Sequence, residues 1–136
     1  MKYTLDKNAF PPEYAHEMDA GMDIRSPINI SVLSHNHAVI DTGVHVEIPD
    51  GYVGFFKSKS GLNVKHNIVS EGVIDAGYTG SLVVKLYNHG DGDYIVNRGD
   101  KITQLVILPY MHMTLEQVDS LEQTARGDNG FGSTGR

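Results

Sequence analysis

The chain has 136 residues, 40% of them apolar and 21% charged, with a net charge of −6 and no cysteine. That is one domain's worth of sequence with enough apolar residues for a core. The charge argues against sequence-independent nucleic-acid binding, which needs a basic face. The missing cysteines exclude disulfides, zinc–thiolate sites and a cysteine nucleophile, and no apolar run approaches the roughly 18 residues of a membrane span.

Residues 2–5 predict a short strand. The opening Met1-Lys2-Tyr3-Thr4-Leu5-Asp6 has no apolar stretch of the secretory kind, so a cytoplasmic protein is expected. Phe10-Pro11-Pro12-Glu13 is a loop, because neither proline donates an N–H and Pro12 pushes Pro11 out of helical geometry. In Met18–Ser26 two acids, Asp19 and Asp23, flank Gly21. Residues 27–32 alternate and predict a strand, and 34–37 a turn. On an extended segment His35 and His37 would share a face and could hold a metal. Asp41 is the nearest acid, however, and His45 lies on the next strand, so a polar hairpin loop is the better reading.

Residues 38–48 predict strand, with Val44, Val46 and Ile48 alternating against His45 and Glu47 as in a sheet with one wet face. After the turn Pro49-Asp50-Gly51, residues 52–56 are a strand. In Lys57-Ser58-Lys59-Ser60-Gly61, Ser60 is placed to cap one or two helical turns over 62–66. Lysines, hydroxyls and a glycine at a helix start suit an anion; they equally suit an ordinary capped turn with solvated lysines.

The centre of the chain is Gly72-Val73-Ile74-Asp75-Ala76-Gly77-Tyr78-Thr79-Gly80, followed by the strand-like Ser81–Tyr87. This predicts a β-hairpin with a carboxylate and an aromatic ring close together at its bend. Gly77 and Gly80 allow positive φ and a close approach to a ligand. A solvated turn with Asp75 as turn-former remains the plainer alternative. Downstream, 88–93 and 97–100 are turns around the short strand 94–96. Residues 101–108 are the most apolar strand, expected to be buried on both faces. Gln104 inside it must find partners or cost on the order of 1–3 kcal/mol, either by bonding neighbouring backbone or by pointing into a site. Residues 113–118 predict one further strand. The whole is an all-β, distorted jelly-roll or β-barrel with one short helix. The glycine-rich end, 126–136, is either a loose terminus or an arm that orders on a ligand. As an arm it would stack Phe131 on a ring and use Arg126, Ser133 and Thr134 on anionic oxygens. No P-loop string is present.

Five stretches in order resemble the motifs of the trimeric deoxyuridine triphosphate nucleotidohydrolases (dUTPases): Asp19–Ile24, Lys59–Leu62, Gly72–Gly80 with Asn88 downstream, Gly99–Leu105, and Arg126-Gly127 through Gly130–Gly135. The likeness covers essentially the whole chain, and the third and fifth motifs are the most specific. It implies hydrolysis of dUTP to dUMP and pyrophosphate by water attack at the α-phosphate. Mg²⁺ would be held by the triphosphate and waters with no direct protein ligand; Asp23 would organise charge or waters. By this resemblance Asp75 is the catalytic base. Tyr78 packs under the deoxyribose, and backbone at Gly72, Val73, Ile74 and Val83 reads uracil. Lys59, Ser60, Gly61 and Gln104 hold phosphates, while Phe131, Gly132, Ser133, Thr134 and Arg126 cover the nucleotide. It further implies a body over 1–125, an arm over 126–136 that closes on the site, and a homotrimer with shared sites. Lys59 and Lys101 stand where the family usually has arginine; a lysine cannot form the bidentate fork, so somewhat weaker phosphate binding is expected. Two other readings are a dCTP deaminase, similar in fold, and a nucleotide-dependent regulatory binder of another protein.

Overall fold

A computed structural model describes residues 1–130. Ten strands and one helix follow each other: β1 (Lys2–Leu5), β2 (Gly21–Arg25), β3 (Ile30–Val32), β4 (His37–Asp41), β5 (Val44–Glu47), β6 (Tyr52–Lys57), α1 (Ser60–His66), β7 (Ile68–Ile74), β8 (Val83–Asn88), β9 (Tyr94–Val96) and β10 (Lys101–Pro109). A six-stranded sheet in the order β2-β10-β6-β7-β8-β4 is accompanied by two pairs, β1–β5 and β3–β9. Every pairing is antiparallel. This is the all-β jelly-roll type that the strand pattern predicts.

The alternation of Val44, Val46 and Ile48 against His45 and Glu47 is realised, but the single strand expected over 38–48 breaks at Thr42-Gly43, where Gly43 takes φ +65°, into β4 and β5 of different sheets. Ala38, Ile40, Val44 and Val46 face inward while Val39 and Glu47 are exposed. They join Ile24, Val32, Ile68, Val84, Leu86, Ile102 and Leu105 in one continuous core. Each such aliphatic side chain contributes roughly 1.5–3 kcal/mol by leaving water.

Four further expectations fail, each for a physical reason. β10 is buried on both faces only in its first half. A register shift against β2 between Lys101 and Thr103 turns the neighbours Ile102 and Thr103 both inward, whereas Leu108 at the far end is exposed. Ser60 does not cap α1. It is the first helical residue; Lys59 occupies the cap with extended dihedrals and no side-chain bond. The helix is instead closed at its C-terminus by left-handed Asn67, whose N–H reaches the carbonyls of Asn63 and Leu62 in the manner of an αL cap. No strand forms over 113–118. After Tyr110 donates its N–H to the Gly51 carbonyl at 2.9 Å, residues 111–130 carry no helix or strand, and Met111, Met113, Leu115 and Leu121 are exposed. Finally, the central hairpin is not zipped to its bend, and this opening leaves a pocket.

Candidate functional site

Strand β7 changes partner half-way. Ile68, Val69 and Ser70 pair with Asn88, Tyr87 and Leu86 of β8. Glu71–Ile74 turn away and pair with Lys57, Phe56, Phe55 and Gly54 of β6, while Val83–Lys85 of β8 pair with β4. The two arms of the hairpin therefore splay apart past Ser70. Their facing edges lack ladder partners, which leaves strand N–H and C=O groups free for a ligand. Between the arms lies a pocket of about 280 Å³ lined by Gly72, Val73, Ile74, Asp75, Tyr78 and Val83, with Phe56, Leu82, Glu71 and Lys85 completing its wall. Six of the predicted site residues meet there. A side chain at Gly72 would crowd Phe56, whose ring lies 3.2 Å from where its Cβ would stand.

The bend is held from several sides. Tyr78 donates its N–H to the Asp75 carbonyl at 3.2 Å, and Gly77 takes φ +87°. The Tyr78 hydroxyl donates to the Ser81 carbonyl at 2.9 Å. This folds the ring over Gly80 so closely that a Cβ there would lie 2.5 Å from the hydroxyl oxygen. Ser81 donates its hydroxyl to Asp41 and receives the Gly43 N–H at 3.0 Å. The Asp41 carboxyl sits below the ordinary carboxylate range because of the Ser81 hydroxyl and then the Gly43 N–H. None of Asp41, Ser81 or His45 stood out in the sequence as a support of the bend; the wet-face position of His45 was the one available signal.

A second cluster gathers where β2, β10 and the end of β6 meet. Asp23 is buried. Its Oδ1 accepts from the Lys59 ammonium and its Oδ2 lies 2.6 Å from that of Lys101. Burial pushes the Asp23 carboxyl up, but the two lysines outweigh it and hold it below its ordinary value. Glu13, bridged through backbone to Asp23, pairs with Arg25 and lies 3.9 Å from Lys101. The two departures from arginine, Lys59 and Lys101, thus grip one carboxylate. Glu13 and Arg25 were not legible as members of this network. Gln104 lies opposite both Asp23 and Lys57. It is half-buried, and its Nε2 donates to the Ser58 carbonyl at 3.3 Å, the backbone-bonding alternative. Gly21 makes room for it, since a Cβ there would stand 2.6 Å from Gln104 Oε1. Ser58 accepts the Ser70 N–H at 2.9 Å and donates to the Ser70 carbonyl at 3.0 Å, which pins the segment leading to Lys59, Ser60 and Gly61.

The two clusters do not meet within one chain. In the β6–β7 ladder Asp75 lies beyond the Gly54↔Ile74 rung and Lys59 beyond the Lys57↔Glu71 rung. At about 3.3 Å per residue the ladder alone sets them more than ~10 Å apart. Arg126 forms a tight turn, donating Nε to the Asn129 carbonyl at 3.1 Å. Phe131, Gly132, Ser133 and Thr134 lie outside the described residues. Among the described residues no three His, Asp or Glu side chains gather as a metal site. His35 sits in a left-handed turn (φ +53°) with Nε2 3.1 Å from Asp91 Oδ1, the polar loop expected of it.

The family model for dUTPase matches residues 7–135. The deoxyuridine 5'-triphosphate nucleotidohydrolase of Clostridium tetani is 39% identical over 97% of this chain and 93% of its own. The solved dUTPase of Staphylococcus bacteriophage 80alpha with dUPNHPP, one of the phage dUTPases said to control transfer of virulence genes, is 36% identical with TM-score 0.93, covering 99% of this chain and 98% of that one. A mutant dUTPase of the Staphylococcus aureus phage phi11 that coordinates a structural Mg(II) ion is 35% identical with TM-score 0.82, covering 90% of this chain and 98% of that one. A match over nearly all the residues, on a fold whose hairpin opens into a pocket beside an acid and a tyrosine, means that this chain belongs to the dUTPase family.

Proposed function

We propose that this chain hydrolyses dUTP to dUMP and pyrophosphate, limiting uracil in DNA and supplying dUMP, with Asp75 as the base for water attack at the α-phosphate. The observation that carries the reading is the splayed hairpin. The free strand edges at Gly72–Ile74 and Val83, the edges turned away from β6 and β4, face a pocket and supply the mixed donors and acceptors that a pyrimidine edge requires. Tyr78, pressed onto Gly80, forms the wall against which a sugar lacking a 2′-oxygen packs. Asp75 stands exposed at the rim, where a water between it and the phosphate loses a proton to the carboxylate.

The test is pyrophosphate release from dUTP, UTP, dCTP and dTTP with Mg²⁺. The expected result is turnover of dUTP alone. UTP turned over comparably would remove Tyr78 from its role, and a uracil product from dCTP would identify a deaminase instead. Replacing Gly80 with Ala drives the Tyr78 ring off its seat. The expected outcome is a fall in the dUTP-over-UTP preference by roughly tenfold or more, the range of one misplaced positioning group, read from kcat/KM for both nucleotides.

The phosphate grip of Lys59, Ser60, Gly61 and Gln104 comes in this reading from a second copy, since it lies away from Asp75 in its own chain. A third copy supplies Arg126, Phe131, Gly132, Ser133 and Thr134. The exposed apolar residues Met111, Met113 and Leu115 suit an extended segment that packs on a neighbour, which supports a homotrimer. The body over 1–125 and the arm over 126–136 then act as separate parts. Deleting 126–136 should leave the trimer intact and lower kcat/KM on the order of 10²-fold through lost closure; size-exclusion with light scattering and initial rates check both halves. Mg²⁺ suits this donor set: Asp75 is an exposed carboxylate at the pocket rim, while Asp23 is taken up by two lysines. Carried by the triphosphate and its waters, it would neutralise phosphate charge. Among the described residues no helix is long and apolar enough to cross a membrane; the cytoplasm is the compartment we propose for a nucleotide-pool enzyme.

The likeness to the 80alpha protein favours one second reading, a nucleotide-dependent regulatory partner. Its test is a pull-down with and without dUTP using Asp75→Asn, which separates binding from turnover.

A further inference from the structure

The back of the bend rests on a histidine that the reaction does not use. His45 of β5 points its Nδ1 at the Thr79 carbonyl, 2.9 Å away, and its Nε2 at Asp6 Oδ2, 3.4 Å away. Thr79 lies between Tyr78 and Gly80, so the ring joins the segment after β1 to the turn that carries the tyrosine. Both partners of the ring are acceptors, and only the protonated imidazole donates from both nitrogens. Once the proton leaves, either the Thr79 carbonyl or the Asp6 carboxylate faces a bare lone pair, and one of the two links is lost.

We propose that His45 is a positioning residue for the nucleotide-binding bend: protonated, it ties Thr79 to Asp6 and holds Tyr78 in place; neutral, it releases one tie and the bend loosens. The inference rests on the functional reading given above, because it is the sugar-facing tyrosine that is being held. The Thr79 carbonyl first and Asp6 second, helped by the charges of Asp6 and Asp41, hold the His45 proton above the ordinary histidine value of 6.5 against a smaller opposing effect of burial. Nearby on this side are Lys2 of β1 and Glu47 of β5, engaged with each other at 3.0 Å, and Asp50 in the recess that Thr79 also lines. The bend itself brings Asp75 and Tyr78. A raised value means that the tied bend is fully favoured below pH 6.5 and is lost as pH rises through the folded value.

The test has two parts. In unliganded ¹⁵N-labelled protein, the amide resonances of Tyr78, Thr79 and Gly80 should titrate together with the His45 ring, at a midpoint above 6.5. Asp6→Asn should lower that midpoint, and His45→Gln should abolish the shared titration. Bend amides that ignore the His45 titration overturn the proposal. This part uses no substrate, so its failure is the failure of the tie alone, whereas a wild-type protein without dUTP turnover is the failure of the functional reading. In the second part the ratio of KM for dUTP, His45→Gln over wild type, is followed from about pH 6 to 8.5 across the histidine range. It should start roughly threefold to tenfold above one, the worth of one hydrogen bond, and approach one at the alkaline end with kcat little changed. Taking the ratio cancels titration of the nucleotide. A ratio that stays flat with pH overturns the proposal, and where His45→Gln does not fold, Asp6→Asn serves in its place.

Discussion

Replacing Asp75 with Asn is expected to lower kcat for dUTP by about 10²–10⁴-fold while KM moves little. The carboxylate stands at the end of β7, where the strand stops and the turn begins, and it is exposed. The turn is held by backbone, through the Tyr78 N–H on the Asp75 carbonyl, and by the Tyr78 hydroxyl on Ser81. The acid side chain takes no part in either bond. An amide of the same shape therefore leaves the bend, the pocket and the melting temperature unchanged and removes only the ability to accept a proton from water. Rates with saturating dUTP, together with equilibrium binding of a non-hydrolysable analogue, separate the two effects. A variant keeping more than a tenth of wild-type kcat would take the base role away from Asp75.

What could be read in advance divides along contact order. Elements set by near neighbours were legible: the alternation of β5, the turn at Pro49–Gly51, and a short helix beginning near Ser60. So was the juxtaposition of Asp75 and Tyr78, because three residues of a glycine-bounded turn fix it. The pocket beside them was not. It arises because β7 leaves β8 for β6 at Glu71, and nothing local distinguishes Ser70 from Glu71 as the point of exchange. The β10 register shift was hidden for the same reason: it is a relation between Lys101–Thr103 and Arg25–Ile24, not a property of either segment. The strand expected over 113–118 shows the converse limit. The residues have strand chemistry, but a strand forms only by pairing with an edge, and residues 113–118 pair with none of those in the chain.

The two lysines carry this further, because their separation in sequence concealed that they share one carboxylate. Replacing Asp23 with Asn is accordingly expected to cost about 2–4 kcal/mol in unfolding free energy, somewhat less than the roughly 3–5 kcal/mol of breaking a fully buried ion pair, because the two lysine side chains stay partly exposed. The Lys59 and Lys101 ammoniums would be left side by side in a half-buried place with no neutralising oxygen between them, only the more distant Glu13 at 3.9 Å from Lys101. They would move apart, and Lys59 would lose the anchor that fixes its approach to a phosphate. KM for dUTP should therefore rise roughly tenfold, as for loss of one charge-assisted contact, with kcat less affected. The pH dependence gives the sharper signature. The Asp23 carboxyl is held below its ordinary value of 3.8, so its contribution is complete above that value and drains away as pH falls through the lower folded one. Glu13 and Asp41 are also held low and weaken both proteins alike. The difference in urea midpoint between wild type and Asp23→Asn, at one protein concentration because assembly contributes, should thus be constant from neutral pH down to about 4 and close below it. A gap that persists unchanged into acid would mean that Asp23 stabilises through its shape and not its charge, and the lysine pair would then need another explanation.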